Sequence, residues 1–143
     1  GVQTCALPIL AILSIDGLTA SPLNFGGKAR TGAQGVIPGF TGGFPMSPDA
    51  ARIRDVILAR GHDIYGEATV EREVIVMRAR VAPGDSGAPL VGSDGRVLGL
   101  VFAASADGSE TGYALTSRAV AGAAETGRMS TREASVGQCL PAD

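Results

Sequence analysis

The chain carries one histidine, two cysteines and a single lysine, Lys28, among 143 residues. One histidine and two cysteines cannot build a zinc site unaided, so no metal site and no cofactor is expected. No apolar run approaches the roughly 18 residues of a membrane helix. The longest near the start, Ala6–Leu13, is short and broken by Pro8. A basic leader followed by a cleavage site is not visible either. Twelve basic against fourteen acidic residues leave a net charge of −2, which argues against a nucleic-acid groove or a polybasic membrane patch. The eleven remaining basic residues are all arginine. With abundant Ala, Gly and Val, that bias fits GC-rich coding, as in actinobacteria.

What is present is punctuation. Gly (21) and Pro (8) are frequent enough to favour short strands joined by turns over a helical bundle. Hydrophobic residues reach 45%, so the chain is not a disordered tail, and its length suits one domain with a modest core. Leu10–Ile15 reads as a buried strand ended by the turn pair Asp16-Gly17. Residues 18–50 read as loop, a strand near 34–38, then a long exposed connection. Ala51–Arg60 is ambiguous: Arg52-Ile53-Arg54 alternates like a strand, whereas Val56-Ile57-Leu58 suits a helix. Val70–Val81 is a strand by its β-branching. Ala88–Val91 and Arg96–Ala103 flank Gly92-Ser93-Asp94-Gly95, a hairpin signal. Gly112–Thr116 is a further strand. Ser117 then caps a helix through Ala124 that stops near Gly127. Met129–Asp143 reads as a loose tail. The class is mainly β with one C-terminal helix.

The stretch that carries chemistry is Pro83-Gly84-Asp85-Ser86-Gly87-Ala88-Pro89-Leu90. Glycines on both sides of a serine let the backbone turn sharply and present the hydroxyl as a nucleophile. The same turn can aim the Gly84 and Ser86 N–H groups at one point, where a tetrahedral oxyanion would form. Gly-Asp-Ser-Gly is also ordinary turn chemistry, so the motif alone leaves catalysis and a plain hairpin turn both open. Phe25-Gly26-Gly27-Lys28-Ala29 lacks the Ser or Thr and the preceding strand of a phosphate loop. Phe40-Thr41-Gly42-Gly43-Phe44 reads as a packing or cleft-side loop.

The segment resembles the nucleophile loop of chymotrypsin-like serine proteases. The following hairpin, the strand Val97–Ser105 and the strand Thr111–Thr116 match that family's order. More narrowly, Asp63-Ile64-Tyr65-Gly66, Arg72-Glu73-Val74, Gly84-Asp85-Ser86-Gly87, Glu110-Thr111-Gly112 and Gly137-Gln138-Cys139 resemble a MarP-like family of actinobacterial proteases. That family carries a colicin-V-production-like membrane domain ahead of an extracytoplasmic trypsin-like domain.

The resemblance implies the second β-barrel of a chymotrypsin-like double barrel, with a remnant of the first barrel and a short C-terminal α-helix. Residues 10–45 would be that remnant and its connection, 46–128 the barrel and helix, and 129–143 a tail. Ser86 is the expected nucleophile and Gly84 its fellow oxyanion donor. Arg80 falls at the floor of the primary specificity pocket or is a strand-edge surface charge. Ala103, Ala104 and Ser105 would form a pocket wall, with Tyr113 lining or backing it. Ala88 departs from the family, which has Gly there, and its methyl would press on the oxyanion turn.

The resemblance also implies what is absent. The triad runs His, Asp, Ser, and its first two members belong to the first barrel. His62, 24 positions before Ser86, reads as a loop residue, and Asp16 and Asp63 as turn residues. Asp85 reads as an anchor for a chain terminus or surface loop. Gly1–Ile9 resembles the translation of a sequencing adapter, so native sequence is expected from Leu10. Cys5 would then be foreign, and Cys139 would have lost its native disulfide partner. The expectation is an inactive piece of an exported, membrane-tethered endopeptidase acting on peptides or proteins. The alternative is a protease-like barrel that binds peptides or partners without catalysis.

Overall fold

The structure, a computed structural model, describes residues 2–7, 10–40, 43, 45–62 and 69–130; side chains of 2–7 and of His62 lie outside that description. Eight strands and one helix follow in order: β1 (Val2–Leu7), β2 (Leu10–Leu13), β3 (Gln34–Gly39), β4 (Ser47–His62), β5 (Thr69–Ala79), β6 (Pro89–Gly92), β7 (Val97–Ala104), β8 (Thr111–Thr116) and α1 (Ser117–Met129). Six of the strands close an antiparallel barrel in the order β3-β4-β5-β8-β7-β6. The pair β1–β2 stands apart as a two-stranded sheet packed against α1.

Alternation along the strands fills the barrel. Ile37, Ile53, Ile75, Met77, Leu90, Val101 and Ala114 point inward from all six strands and are almost wholly buried. Burying side chains of this size contributes about 1.5–3 kcal/mol each, so this one cluster holds the barrel together. At Gly99 of β7, a Cβ would lie 2.2 Å from the Leu115 carbonyl oxygen of β8, so only glycine lets these strands approach.

Four readings of the sequence change here. The ambiguous stretch 51–60 is strand, part of the 16-residue β4. A bulge between Ile53 and Asp55 shifts its register, which is why the alternation stops and an apolar triplet follows. The barrel begins at β3 and not at residue 46. β3 pairs with β4 and also with β6, Val36 meeting Val91, a partner 55 positions later that local patterning does not reveal.

The helix cap is Thr116, whose hydroxyl accepts from the Ala119 N–H at 3.3 Å. The Ser117 hydroxyl instead donates to the Gly26 and Gly27 carbonyls, at 3.2 and 3.4 Å. The helix also runs through Gly127 to Met129, because Gly127 is a packing residue against β2 and not a stop. Within the stretch resembling an adapter, residues 2–7 run antiparallel to β2. Asp63–Gly66, residues 41, 42 and 44, and 131–143 with Cys139 lie outside the described residues.

Candidate active site

The turn between β5 and β6 is locked from within. The Ala82 N–H donates to Asp85 Oδ2 at 2.9 Å, and the Asp85 N–H donates to the Ala82 carbonyl at 3.0 Å. The Ala88 N–H returns to the Asp85 carbonyl at 2.9 Å. Gly84 has φ +105° and Gly87 φ +90°, values an L side chain rarely adopts, and they put the sharp bend on either side of Asp85-Ser86. Asp85 is 1% exposed, while Ser86 beside it is exposed. The chain thus buries the acid as an internal brace and turns the hydroxyl outward.

Two further bonds stitch the turn to β7: Gly87 N–H to the Val101 carbonyl at 2.8 Å, and Val101 N–H to the Ala88 carbonyl at 2.9 Å. Among the described residues, the Gly84 and Ser86 N–H groups have no protein acceptor, the condition an oxyanion site requires. The Ala88 side chain packs against the barrel core, so its methyl does not crowd the oxyanion turn. Ser86 borders a cavity of about 90 Å³ walled by Leu10, Leu100, Phe102 and Leu115. Sequence reasoning missed these apolar neighbours. Leu100 and Leu115 are opposed in the β7–β8 ladder, and only that pairing brings them together.

A second cavity, about 240 Å³, is lined by Arg80, Val81, Ala104, Ser105, Ser109 and Glu110. Arg80, Ala104 and Ser105 are therefore brought together. Arg80 is exposed and directly follows β5, so it is a strand-edge charge and a cavity wall at once. Ala103 and Tyr113 lie elsewhere, opposite one another in the β7–β8 ladder, with the Tyr113 ring 6.5 Å from that of Phe102. Glu110 and Ser109 were missed, although Asp107-Gly108 is a turn signal that places a loop there.

That loop is held by Asp107. The Ser109 hydroxyl and N–H, with the Ser105 hydroxyl, hold its carboxyl down to about 2. The Ser105 N–H donates to the Thr111 carbonyl at 2.8 Å, tying the loop across to β8.

His62 ends β4 opposite Thr69. It lies six residues beyond Val56, which registers through Ile75 and Ala114 with Val101 beside the serine. Six strand residues span about 20 Å, so His62 belongs to the far tip of the hairpin. It is a strand end and not a loop residue. Asp16 sits exposed in its turn with Gly17. No group of His, Cys, Asp and Glu among the described residues could hold a metal ion. Nor is any helix among them long and apolar enough to cross a membrane.

An antiparallel six-stranded barrel that offers an exposed serine from a glycine-bent, internally braced turn defines the trypsin-like peptidase class. The family pattern of the trypsin-like peptidase domain matches residues 6–100, and the chain belongs to that family. It is similar to serine protease Rv3671c of Mycobacterium tuberculosis H37Rv, with 46% identity over 115 residues covering 79% of this chain. The chain spans 29% of that relative's length.

The crystal structure of the Rv3671c protease in its active form superposes with TM-score 0.89 at 40% identity, covering 98% of this chain and 63% of the other. An HtrA-type protease, AlgW with decapeptide, gives TM-score 0.65 at 26% identity, covering 82% and 36%. The trypsin-like fold expected from the resemblance is thereby confirmed.

Proposed function

We propose that the chain is the nucleophile-bearing part of an extracytoplasmic serine endopeptidase, membrane-tethered in its parent protein. The observation that carries this reading is the turn 82–88, where a buried Asp85 and two positive-φ glycines hold Ser86 outward, with two N–H donors left without an acceptor among the described residues. In the reaction, Ser86 Oγ attacks the carbonyl carbon of a peptide bond. The oxygen becomes an oxyanion and accepts from the Gly84 and Ser86 N–H groups. The C–N bond then breaks, the amine leaves with a proton, and the acyl group stays on Ser86 until water releases it.

Almost no serine hydroxyl is ionised at neutral pH, so the attack needs a base to take the proton. The single histidine, at the hairpin tip, is not placed to serve. A histidine and an aspartate from outside these residues complete the site, and the 143-residue chain alone is inactive. The partial overlap with the Rv3671c protease, 63% of its crystallised chain, supports that division. The resemblance to the MarP-like family supports the membrane tether and the location.

A fluorophosphonate probe tests the reading. The full-length parent should be labelled at Ser86, and labelling should vanish in Ser86→Ala and in the 143-residue chain. The absence of any acid–base partner beside Ser86 among the described residues favours a second reading, a barrel that binds peptides without cleaving them. An unlabelled full-length protein would establish that one.

A further inference from the structure

Arg52 of β4 and Arg78 of β5 are direct cross-strand partners on the outer face of the barrel, and both are exposed. Like charges directly opposite one another destabilise a sheet. Arg80 follows two positions later on the same edge, and the Arg54 guanidinium reaches Thr111 Oγ1, beside Arg78 on β8, at 3.4 Å. Four of the eleven arginines thus gather on one patch of a chain whose net charge is −2.

Little on the protein offsets them. Glu110 takes both of its bonds from Arg78 on one oxygen, at 3.2 Å each. Arg52 and Arg80 have no carboxylate partner among the described residues. Arg52, Arg78 and Arg80 line a groove of about 570 Å³ with Gln34 and Asp49. That groove shares Ala79, Arg80 and Glu110 with the cavity of about 240 Å³ at the end of β7.

We infer that this groove binds an acidic stretch of the polypeptide substrate. Guanidinium groups accept carboxylates through paired, charge-assisted bonds. An anion between Arg52 and Arg78 turns their repulsion into two attractions. The groove runs on into the cavity lined by Arg80, Val81 and Ser105, and Val81 directly precedes the turn 82–88 that carries Ser86, which selects a substrate chain as the occupant; the overall negative charge opposes a nucleic acid. The inference rests on the proteolytic reading for its substrate. Binding at the groove is measured without turnover, so the two fail separately.

The experiment uses the full-length protein carrying Ser86→Ala and a fluorescein-labelled hexaglutamate peptide, read by anisotropy. Saturable binding that weakens with salt is expected, with hexalysine not binding. Arg52→Gln with Arg80→Gln should lower the affinity about tenfold or more, the scale of one or two lost charge-assisted bonds. Arg60→Gln and Arg96→Gln, on other faces, should leave it unchanged, and Arg52→Lys with Arg80→Lys should restore part of it.

Absence of saturable binding overturns the inference, as does equal affinity in all variants that keep the wild-type melting temperature. So does a single-stranded oligonucleotide that binds the same arginines more tightly than the peptide. Binding without fluorophosphonate labelling of the Ser86 protein sustains the groove and removes catalysis. Labelling without binding removes the groove alone.

Discussion

Gly127 of α1 lies so close to Ile12 of β2 that a Cβ on the glycine would meet Ile12 Cγ2 at 2.6 Å and Ile12 Cβ at 2.8 Å. The contact is where the β1–β2 pair rests on the helix, and it explains a glycine inside a helix. Propensity alone would favour alanine there by about 1 kcal/mol. The Ile12 Cβ cannot swing away as a side-chain tip would, so the clash decides the sign. Gly127→Ala is expected to lower the melting temperature, at an overpacking cost of about 1–3 kcal/mol. Gly122→Ala, on the same helix with nothing within 4 Å, is expected to raise it. Thermal melts of both variants check the contrast.

Asp85 braces the Ser86 turn from inside. Asp85→Ala leaves the Ala82 N–H without its side-chain acceptor in a part-buried position. A loss of about 1–3 kcal/mol in urea unfolding is expected. In the full-length protein the variant should also label more slowly with fluorophosphonate, with Ser86 still present. Unchanged labelling would show that the brace does not set the serine's geometry.

Asp107 gives the cavity loop its pH dependence. Its carboxyl titrates at about 2 in the folded chain against an ordinary value of 3.8. A folded value below the unfolded one means the charged form is favoured by folding. The contribution is complete above the ordinary value and is lost as pH falls through about 2. An NMR titration of the Ser109 amide should therefore show its midpoint well below 3.8, moving upward in Ser109→Ala.

Leu13, Ile15, Leu18 and Leu23 are 61%, 59%, 65% and 54% exposed along one continuous stretch. Large apolar side chains gathered in this way drive association. Light scattering on the 143-residue chain should show concentration-dependent self-association, reduced by Leu13→Ser with Leu18→Ser. A monodisperse monomer at all concentrations would contradict it.

Local pattern carried β5, β7 and β8 and the hairpin at Gly92–Gly95, because each is a short β-branched or apolar run closed by turn residues. Ser86 between its glycines was legible for the same reason: positive φ is written in residue type. β4 was not, since the bulge at Arg54 breaks its alternation and leaves Ile57 and Leu58 exposed on opposite faces. β3 was read as a strand near 34–38 but set with the first-barrel remnant and its connection, because its place in this barrel depends on Val91, far along the chain. The Arg52–Arg78 pairing is likewise a matter of register, which composition hides behind a negative total.

The barrel is shut by its thinnest ladder, Gly35 on Gly92 and Val36 on Val91, between β3 and a four-residue β6. Few cross-strand bonds hold that seam, so it is where the closed ring breathes first. The turn that carries Ser86 adjoins β6 in sequence, yet its anchors run to Val101 on β7, across the other side of that strand. The short seam and the serine thus have separate supports: opening β3 from β6 breaks none of the bonds that moor the Ser86 turn to β7.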